Sequence, residues 1–159
     1  MSQILDFYRG TGTGAGRTFE QALALDNVSW EAVHDLVQWV FPLPEPSKAQ
    51  PQSPVMTTED IAEFRSDDEL RERVIWAYDR WMAFLFGTTQ WKRPKDHNHL
   101  RITRVIRFLT LIGMHGEAGA VCRIADEATE GIVPDITIWY WQEAMGDNPA
   151  WLKIRALED

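Results

Sequence analysis

Apolar residues recur along most of the chain three or four positions apart, which is the spacing of one face of an α-helix. The segment WEAVHDLVQWVF, from Trp30 to Phe41, shows this pattern most clearly. Its apolar face consists of Trp30, Val33, Leu36, Val37 and Val40. The pattern predicts one amphipathic helix, with Ser29 as its N-cap and Pro42 as its stop, because a proline disfavours helical backbone before it. Trp39 is expected to point away from the apolar face.

Capping signals place further helices along the chain. A Thr18–Gln21 capping box opens one helix, Thr57 with Asp60 opens another, and Ser66 with Glu69 opens the longest. PDITIWYWQEAM also suits a strand, but its Pro-Asp start favours a helix. The predicted spans are 18–25, 57–64, 67–86, 97–112, 117–129, 134–145 and 148–157. We therefore predict an all-α fold of about seven or eight helices in a single compact domain.

Two segments interrupt the helical pattern. Residues 1–17 end in the run RGTGTGAGR, and no parallel-sheet pattern follows it, so a mobile loop is favoured over a phosphate-binding turn. Residues 42–56 are rich in proline and predict an extended connector after the second helix. The expected organisation is an N-terminal segment and glycine-rich loop, residues 1–17, followed by a single helical domain, residues 18–159.

Charge and composition exclude several classes of function. The formal net charge of −8 argues against non-specific nucleic-acid binding and against an anionic membrane surface. Cys122 is the single cysteine, which excludes an intramolecular disulfide and is compatible with a reducing compartment. The sequence has no apolar run long enough for a transmembrane helix and does not begin like a secretory signal, so we expect a cytoplasmic protein.

The segment from His97 to Gly113 contains an internal conflict. It is apolar on nearly all sides, as a central helix would be, yet it carries Arg101 and Arg104 nearly in line. An unpaired buried charge is costly, so these guanidinium groups need carboxylate or carbonyl partners. Two alternatives remain open: an ion pair within the chain, or a site that receives the carboxylate or phosphate of a ligand.

Other reactive side chains have ordinary structural explanations. His97 and His99 are two positions apart, so a helix would direct them to nearly opposite sides and they would not chelate one metal ion. Cys122 lies on a predicted core face, where a thiol is usually inert. His34 has no partnered nucleophile in view. We therefore predict no catalytic residue, no metal and no cofactor, and an enzyme is the less favoured class.

Five segments of the sequence occur in a recognisable order. They are FYRG at 7–10, EAVHDLVQWVFP at 31–42, MTTEDIAEF at 56–64, LRERVIWAYDRWMAFLFG at 70–87 and HNHLRITRVIRFLTLIG at 97–113. With these segments the chain resembles the conserved domain of the opioid growth factor receptor family, in a short form that looks like a bacterial member. The second and fifth segments together make the resemblance specific.

The resemblance implies a receptor-like function. Animal members are described as receptors for an enkephalin-type opioid peptide and are unrelated to seven-helix opioid receptors. We therefore expect a non-enzymatic helical module that binds a peptide or a protein. The alternative is a small-ligand domain or enzyme that uses a His/Arg cluster for an anionic group. From residue chemistry, the ligand-binding residues are expected where the two specific segments meet: His34, Gln38, Trp39, His97, Asn98, Arg101 and Arg104.

Overall fold

The computed structural model of the chain describes residues 2–146 and Pro149. These described residues form nine helices and no strand, which confirms the predicted all-α class. The chain divides into two compact units, Met1–Thr88 and Thr89–Asp159. That residues 18–159 form one domain stays a prediction. The helices are α1 Gln3–Arg9, α2 Phe19–Ala24, α3 Asn27–Ala32, α4 Val37–Val40, α5 Thr58–Ser66, α6 Asp68–Gly87, α7 Asn98–Leu111, α8 His115–Thr129 and α9 Asp135–Glu143.

The first helix, α1, lies in the segment for which the sequence predicts no helix. The side chain of Ser2 caps it by accepting a hydrogen bond from the Leu5 amide. Gly10, with a φ of 80°, ends it in the left-handed conformation that glycine adopts without strain. The buried Tyr8 donates its hydroxyl hydrogen bond to the Val40 carbonyl, which ties α1 to α4. Burial raises the pKa of Tyr8 well above its usual value.

The single helix predicted from Trp30 to Phe41 is wrong. Asp26, not Ser29, caps α3, and the backbone is extended at Val33 before α4 begins. Four of the five predicted apolar positions are buried nevertheless: Trp30, Leu36, Val37 and Val40. Two short helices with a bend between them satisfy the same burial pattern as one long helix, so the periodicity could not distinguish them.

The predicted N-cap residue is correct for α5 but lies one residue too early for α6. Thr57 and Asp60 form the expected capping box at the start of α5. The hydroxyl of Ser66, however, donates to the Ala62 carbonyl within α5. The carboxylate of Asp67 accepts the Leu70 amide at 2.9 Å and so caps α6. The start of the longest helix is therefore set by the aspartate that follows the predicted serine.

The long helix α6 forms the core of the first unit. Its buried face consists of Leu70, Val74, Ala77, Trp81, Phe84 and Leu85. On another face, Arg73 donates to the Tyr8 carbonyl at 3.0 Å and to the Glu20 carboxylate at 2.9 Å. Because these acceptors lie on α1 and α2, one guanidinium holds both short helices against α6.

A second arginine of α6 binds the next part of the N-terminal chain. Arg80 donates to the Leu25 carbonyl and to the side-chain oxygen of Asn27, each at 2.9 Å. Its guanidinium lies 5.1 Å from the centre of a Trp30 ring. At the end of α6, a Cβ on Gly87 would come within 2.3 Å of the Asn27 side chain, so the close approach of α3 requires glycine there.

Over the residues that the structure describes, the second unit contains three helices, α7, α8 and α9. α7 is buried on nearly all sides, as predicted, and α8 buries mostly small residues. α8 begins two residues earlier than expected, at His115, after Gly113 has turned the chain with a φ of 83°. The segment PDITIWYWQEAM, predicted to be a helix despite its strand-like composition, forms the helix α9. The helix predicted for residues 148–157 lies outside the described residues.

A tryptophan and a histidine join the parts of the second unit. The fully buried Trp141 of α9 donates from Nε1 to the His99 carbonyl of α7 at 3.1 Å. The His99 ring packs edge-on against Trp141, and its Nε2 lies 2.7 Å from the Trp91 carbonyl. His99 is therefore a structural residue that connects the loop before α7 to α9.

Candidate functional site

A groove of about 530 Å³ lies in the first unit, between the start of α1, the end of the proline-rich connector and the start of α5. This volume is within the range of roughly 300–1,000 Å³ that is usual for ligand sites. Ile4 and Leu5 of α1 line it with largely buried apolar surface, and Val55 of the connector is exposed at its wall. The apolar surface that a ligand can still cover therefore belongs chiefly to Pro54 and Val55 of the connector.

Local sequence signals set the walls of this groove. Ser2 and Thr57 are the N-caps of α1 and α5, so both helices begin at the groove. Between them, the connector is anchored by the buried Met56, whose amide donates to the Leu43 carbonyl at 2.9 Å. This anchor holds the preceding residues, Pro54 and Val55, at the groove rather than free in solvent.

The charged side chains that line the groove are acidic. Asp60 is only 3% exposed, and its carboxylate accepts the Thr57 amide, so it mainly caps α5. Glu63 pairs with Arg9 at 3.2 Å, and the same guanidinium nitrogen lies 3.0 Å from Asp67. Glu59 is exposed at the groove. One arginine is thus shared between two carboxylates, which leaves negative charge in excess.

Hydrogen bonds also fix the ionisation of the carboxylates near the groove. The backbone amide of Leu70 and, after it, the Arg9 guanidinium lower the pKa of Asp67. The pKa of Arg9 is correspondingly raised, chiefly by its hydrogen bond to Asp67. Asp67 and Arg9 are therefore both charged at neutral pH.

The predicted ligand residues in the first unit have unequal access to solvent. His34 is exposed in the bend between α3 and α4. Gln38 is buried, and its side-chain oxygen has no hydrogen-bond partner among the residues that the structure describes. One short segment thus carries all three residues, His34, Gln38 and Trp39, but only His34 exposes much of its side chain to solvent.

Trp39 is half-buried against other parts of the first unit instead of pointing away from it. Its ring centre lies 5.6 Å from that of Phe7, edge to face. A Cβ on Gly14 would come within 2.5 Å of its ring, so the glycine-rich run packs directly on the indole. Paired backbone hydrogen bonds between Gly14 and Arg17 close this turn. The run expected to be a mobile loop is therefore a packed turn.

In the second unit, two predicted ligand residues are brought together. Asn98 is fully buried, and its side-chain oxygen lies 3.5 Å from Nη1 of Arg101, which is also buried. The Asp96 carboxylate accepts the Asn98 amide at 3.0 Å, His97 is exposed, and Arg104 is half-buried. The predicted set is thus divided between the two units, and its role in ligand binding stays a prediction.

Cys122 has the properties of a structural thiol. It is buried on α8, and burial, followed by the nearby Asp126, raises its pKa to about 11. A thiol with this pKa is protonated at neutral pH and is a poor nucleophile. The sequence-based expectation of an inert cysteine agrees with this environment.

The fold is that of a small helical protein in which, over the described residues, no helix has the length and apolarity to cross a bilayer. Residues 16–93 match the family described as the opioid growth factor receptor (OGFr) conserved region. The family resemblance is therefore confirmed, and the chain is related to the opioid growth factor receptor family through this region.

Curated relatives carry the same family name. The opioid growth factor receptor of Rattus norvegicus is 30% identical over 117 residues, which cover 62% of this chain and 20% of the relative. The Mus musculus protein is 30% identical over 118 residues, covering 62% and 18%. The Homo sapiens protein is 27% identical over 117 residues, covering 60% and 17%. The chain thus spans about a fifth of the length of these relatives. No solved structure matches it.

Sequence reasoning missed the groove because it missed α1. The groove exists only where the helix that carries Ile4 and Leu5 lies beside α5. The Thr57 and Asp60 capping box was read as a helix start and nothing more. A Ser2 N-cap followed eight residues later by Gly10 was the signal that could have revealed α1.

Proposed function

We propose that the chain is a non-enzymatic, receptor-like module that binds a peptide or protein segment in the groove between α1 and α5. The groove itself carries the proposal, since it combines suitable volume with exposed apolar surface from Val55. The family match supports it, because the curated relatives are named as receptors and the matching residues 16–93 include the connector and α5. The cysteine environment is compatible with the cytoplasmic location that we propose.

The size of the groove sets the strength of binding to be expected. Burying one large aliphatic side chain contributes roughly 1.5–3 kcal/mol. Two such anchors in the groove would contribute about 3–6 kcal/mol before the entropic cost of association. A dissociation constant in the millimolar range is therefore the expected outcome for a short peptide.

The alternative function, a small-ligand domain or enzyme built on the His/Arg cluster, has less geometric support. Arg101 already has the side chain of Asn98 at 3.5 Å, and both are buried. Of the predicted cluster in the second unit, only His97 and part of Arg104 are accessible. An anion would therefore meet fewer open donors than the sequence alone implied.

Peptide titration of the full chain, followed residue by residue by NMR, tests the proposal. The probes are an enkephalin-type peptide and generic peptides of about 12 residues with two central leucines, a length that spans such a groove. We expect saturable shifts at the amides of α1, the connector end and α5. Saturable shifts confined to other segments, or none with any peptide, would overturn the proposal.

A matched pair of variants locates the site. Val55→Glu places a charge on the groove wall, where Val55 is 44% exposed, and is expected to weaken peptide binding at least about tenfold. Val28→Glu makes the same change on α3, where Val28 is 77% exposed and does not line the groove. It is expected to leave affinity unchanged. Equal weakening by both variants would contradict the proposed location.

A further inference from the structure

We infer that the natural occupant of the groove is a cationic peptide segment, with Lys or Arg residues flanking an apolar anchor. This inference rests on the proposed function. The charged residues that line the groove are Glu59, Asp60 and Glu63, and no Lys or Arg of the described chain is among its lining residues. The groove thus combines an apolar floor with a uniformly negative lining, a pattern that complements a basic, partly apolar segment.

The carboxylates differ in how much charge they leave for a ligand. Asp60 caps its own helix, and Glu63 shares Arg9 with Asp67. Glu59 forms no ion pair among the residues that the structure describes, and it is exposed at the groove. Glu59 is therefore the side chain best placed to meet an ammonium or guanidinium group of the occupant.

Helix ends oppose this charge only in part. Both α1 and α5 begin at the groove, and a helix N-terminus carries the equivalent of about half a positive charge. The side chains of Ser2, Thr57 and Asp60 already accept hydrogen bonds from the first-turn amides. The three carboxylates outweigh the two partial charges even after Arg9 is counted, so a cation is favoured over an anion.

The apolar surface of the groove strengthens the electrostatic effect of its carboxylates. A charge pair beside low-dielectric surface is screened less than the same pair in open water. A ligand that fills the groove covers Val55 and excludes water next to Glu59, since both residues line it. An acidic flank on the ligand would then face like charges in that environment, which adds discrimination against acidic partners.

Three peptides with the same apolar anchor and different flanks test this inference on the full chain. The basic peptide has lysine and arginine flanks, the neutral peptide has serine and glutamine flanks, and the acidic peptide has glutamate flanks. Binding is measured calorimetrically at low and raised salt. We expect the basic peptide to bind about tenfold tighter than the neutral one, an advantage that shrinks with added salt because exposed charge pairs are screened. The glutamate-flanked peptide is expected to bind most weakly.

Variants assign the preference to this groove. Glu59→Gln is expected to weaken the basic peptide about threefold to fivefold and to leave the neutral peptide unchanged. The control is Glu130→Gln, an exposed acid that lines a separate groove of about 380 Å³ in the second unit. It is expected to change neither affinity. Glu59→Lys should reverse the preference in favour of the acidic peptide.

The possible outcomes bear on peptide binding, on the cationic occupant, or on both. Equal binding of all three peptides would overturn the cationic occupant and leave peptide binding standing. Absence of binding by any peptide would remove both. Loss of basic-peptide binding in Glu130→Gln, with Glu59→Gln unaffected, would place the cationic site in the second unit and overturn the inference. The salt and flank comparisons use the unaltered chain, so they decide the question even if a variant fails to fold.

Discussion

Arginines of α6 hold the first unit together by donating to helix ends, whereas the helices of the second unit meet mainly through apolar and small side chains. Arg73 and Arg80 bind the carbonyls of Tyr8 and Leu25. In the second unit the corresponding contact between helices is made by the buried Trp141. The comparison shows two ways to attach a helix: arginines bind the ends of the short helices α1 and α2, whereas a tryptophan of α9 combines burial with one hydrogen bond.

The two units also differ in their response to ionisation. The carboxyl groups with lowered pKa values, among the described residues, are Glu20, Asp26 and Asp67, all in the first unit. Each accepts a hydrogen bond from a backbone amide, and Glu20 and Asp67 also pair with arginines. Charge therefore contributes to the stability of the first unit.

The largest expected effect is loss of apolar packing in the second unit. Trp141→Ala should destabilise α7, α8 and α9 by about 3–5 kcal/mol, because it leaves a large cavity and removes the hydrogen bond from the indole to the His99 carbonyl. Segment-resolved hydrogen exchange on the full chain measures this. Trp141→Phe retains most of the ring and should cost only about 1–2 kcal/mol. Equal losses for both variants would mean that the hydrogen bond, not packing, stabilises this unit.

A smaller loss is expected when a directional contact of the first unit is removed. Arg80→Met keeps an apolar stem over Trp30 but leaves the Leu25 carbonyl and the Asn27 oxygen without this donor. The cost should be about 2–3 kcal/mol in the exchange protection of α2 and α3. Arg123→Met, at an exposed position of α8, is the control and should change stability by less than about 0.5 kcal/mol. Equal destabilisation by Arg80→Met and Arg123→Met would contradict a special role for the directional contacts of the first unit.

The glycine turn provides a third and smaller test. Gly14→Ala places a Cβ within 2.5 Å of the Trp39 ring, and the strain should cost about 1–3 kcal/mol. Gly119→Ala on α8 has no atom within 4 Å of the added Cβ and should stabilise its helix by roughly 0.5–1 kcal/mol. Urea unfolding of both variants measures the difference. A neutral Gly14→Ala would show that the indole can move away.

Local signals predicted the elements that local interactions stabilise. The Thr57 and Asp60 capping box marks the start of α5 because both partners lie within one turn. Helix α1 also has local end signals, the Ser2 N-cap and Gly10, but its packing depends on the bond from Tyr8 to α4, far along the chain. The break at Val33 was missed for a similar reason: burial of the flanking residues is the same in either backbone path.

The candidate site was even less accessible from sequence. Chemistry drew attention to Arg101 and Asn98, and the structure places them together in a buried contact. The groove, by contrast, contains ordinary residues such as Ile4 and Glu59, which gain significance only when α1 lies beside α5. Residue types identify unusual chemistry, but a concave apolar surface arises from tertiary packing and leaves little trace in periodicity.

The smallest expected effect is a difference in acid sensitivity between the units. A lowered pKa means that the folded first unit releases protons that the unfolded chain would bind at the same pH. Its stabilising contribution is therefore fully present above the unfolded carboxyl pKa of about 4 and is lost as pH falls through the lower folded values. These carboxylates are largely exposed, so the change should be modest.

Hydrogen exchange measured from neutral pH down to about pH 3, and corrected for intrinsic rates, tests this difference. As the pH is lowered, protection should fall at a higher pH in α2, α3 and α6 than in α7, α8 and α9. Asp67→Asn should remove part of the pH dependence of exchange protection in the first unit. If protection instead falls at the same pH in both units, the two units do not differ in acid sensitivity.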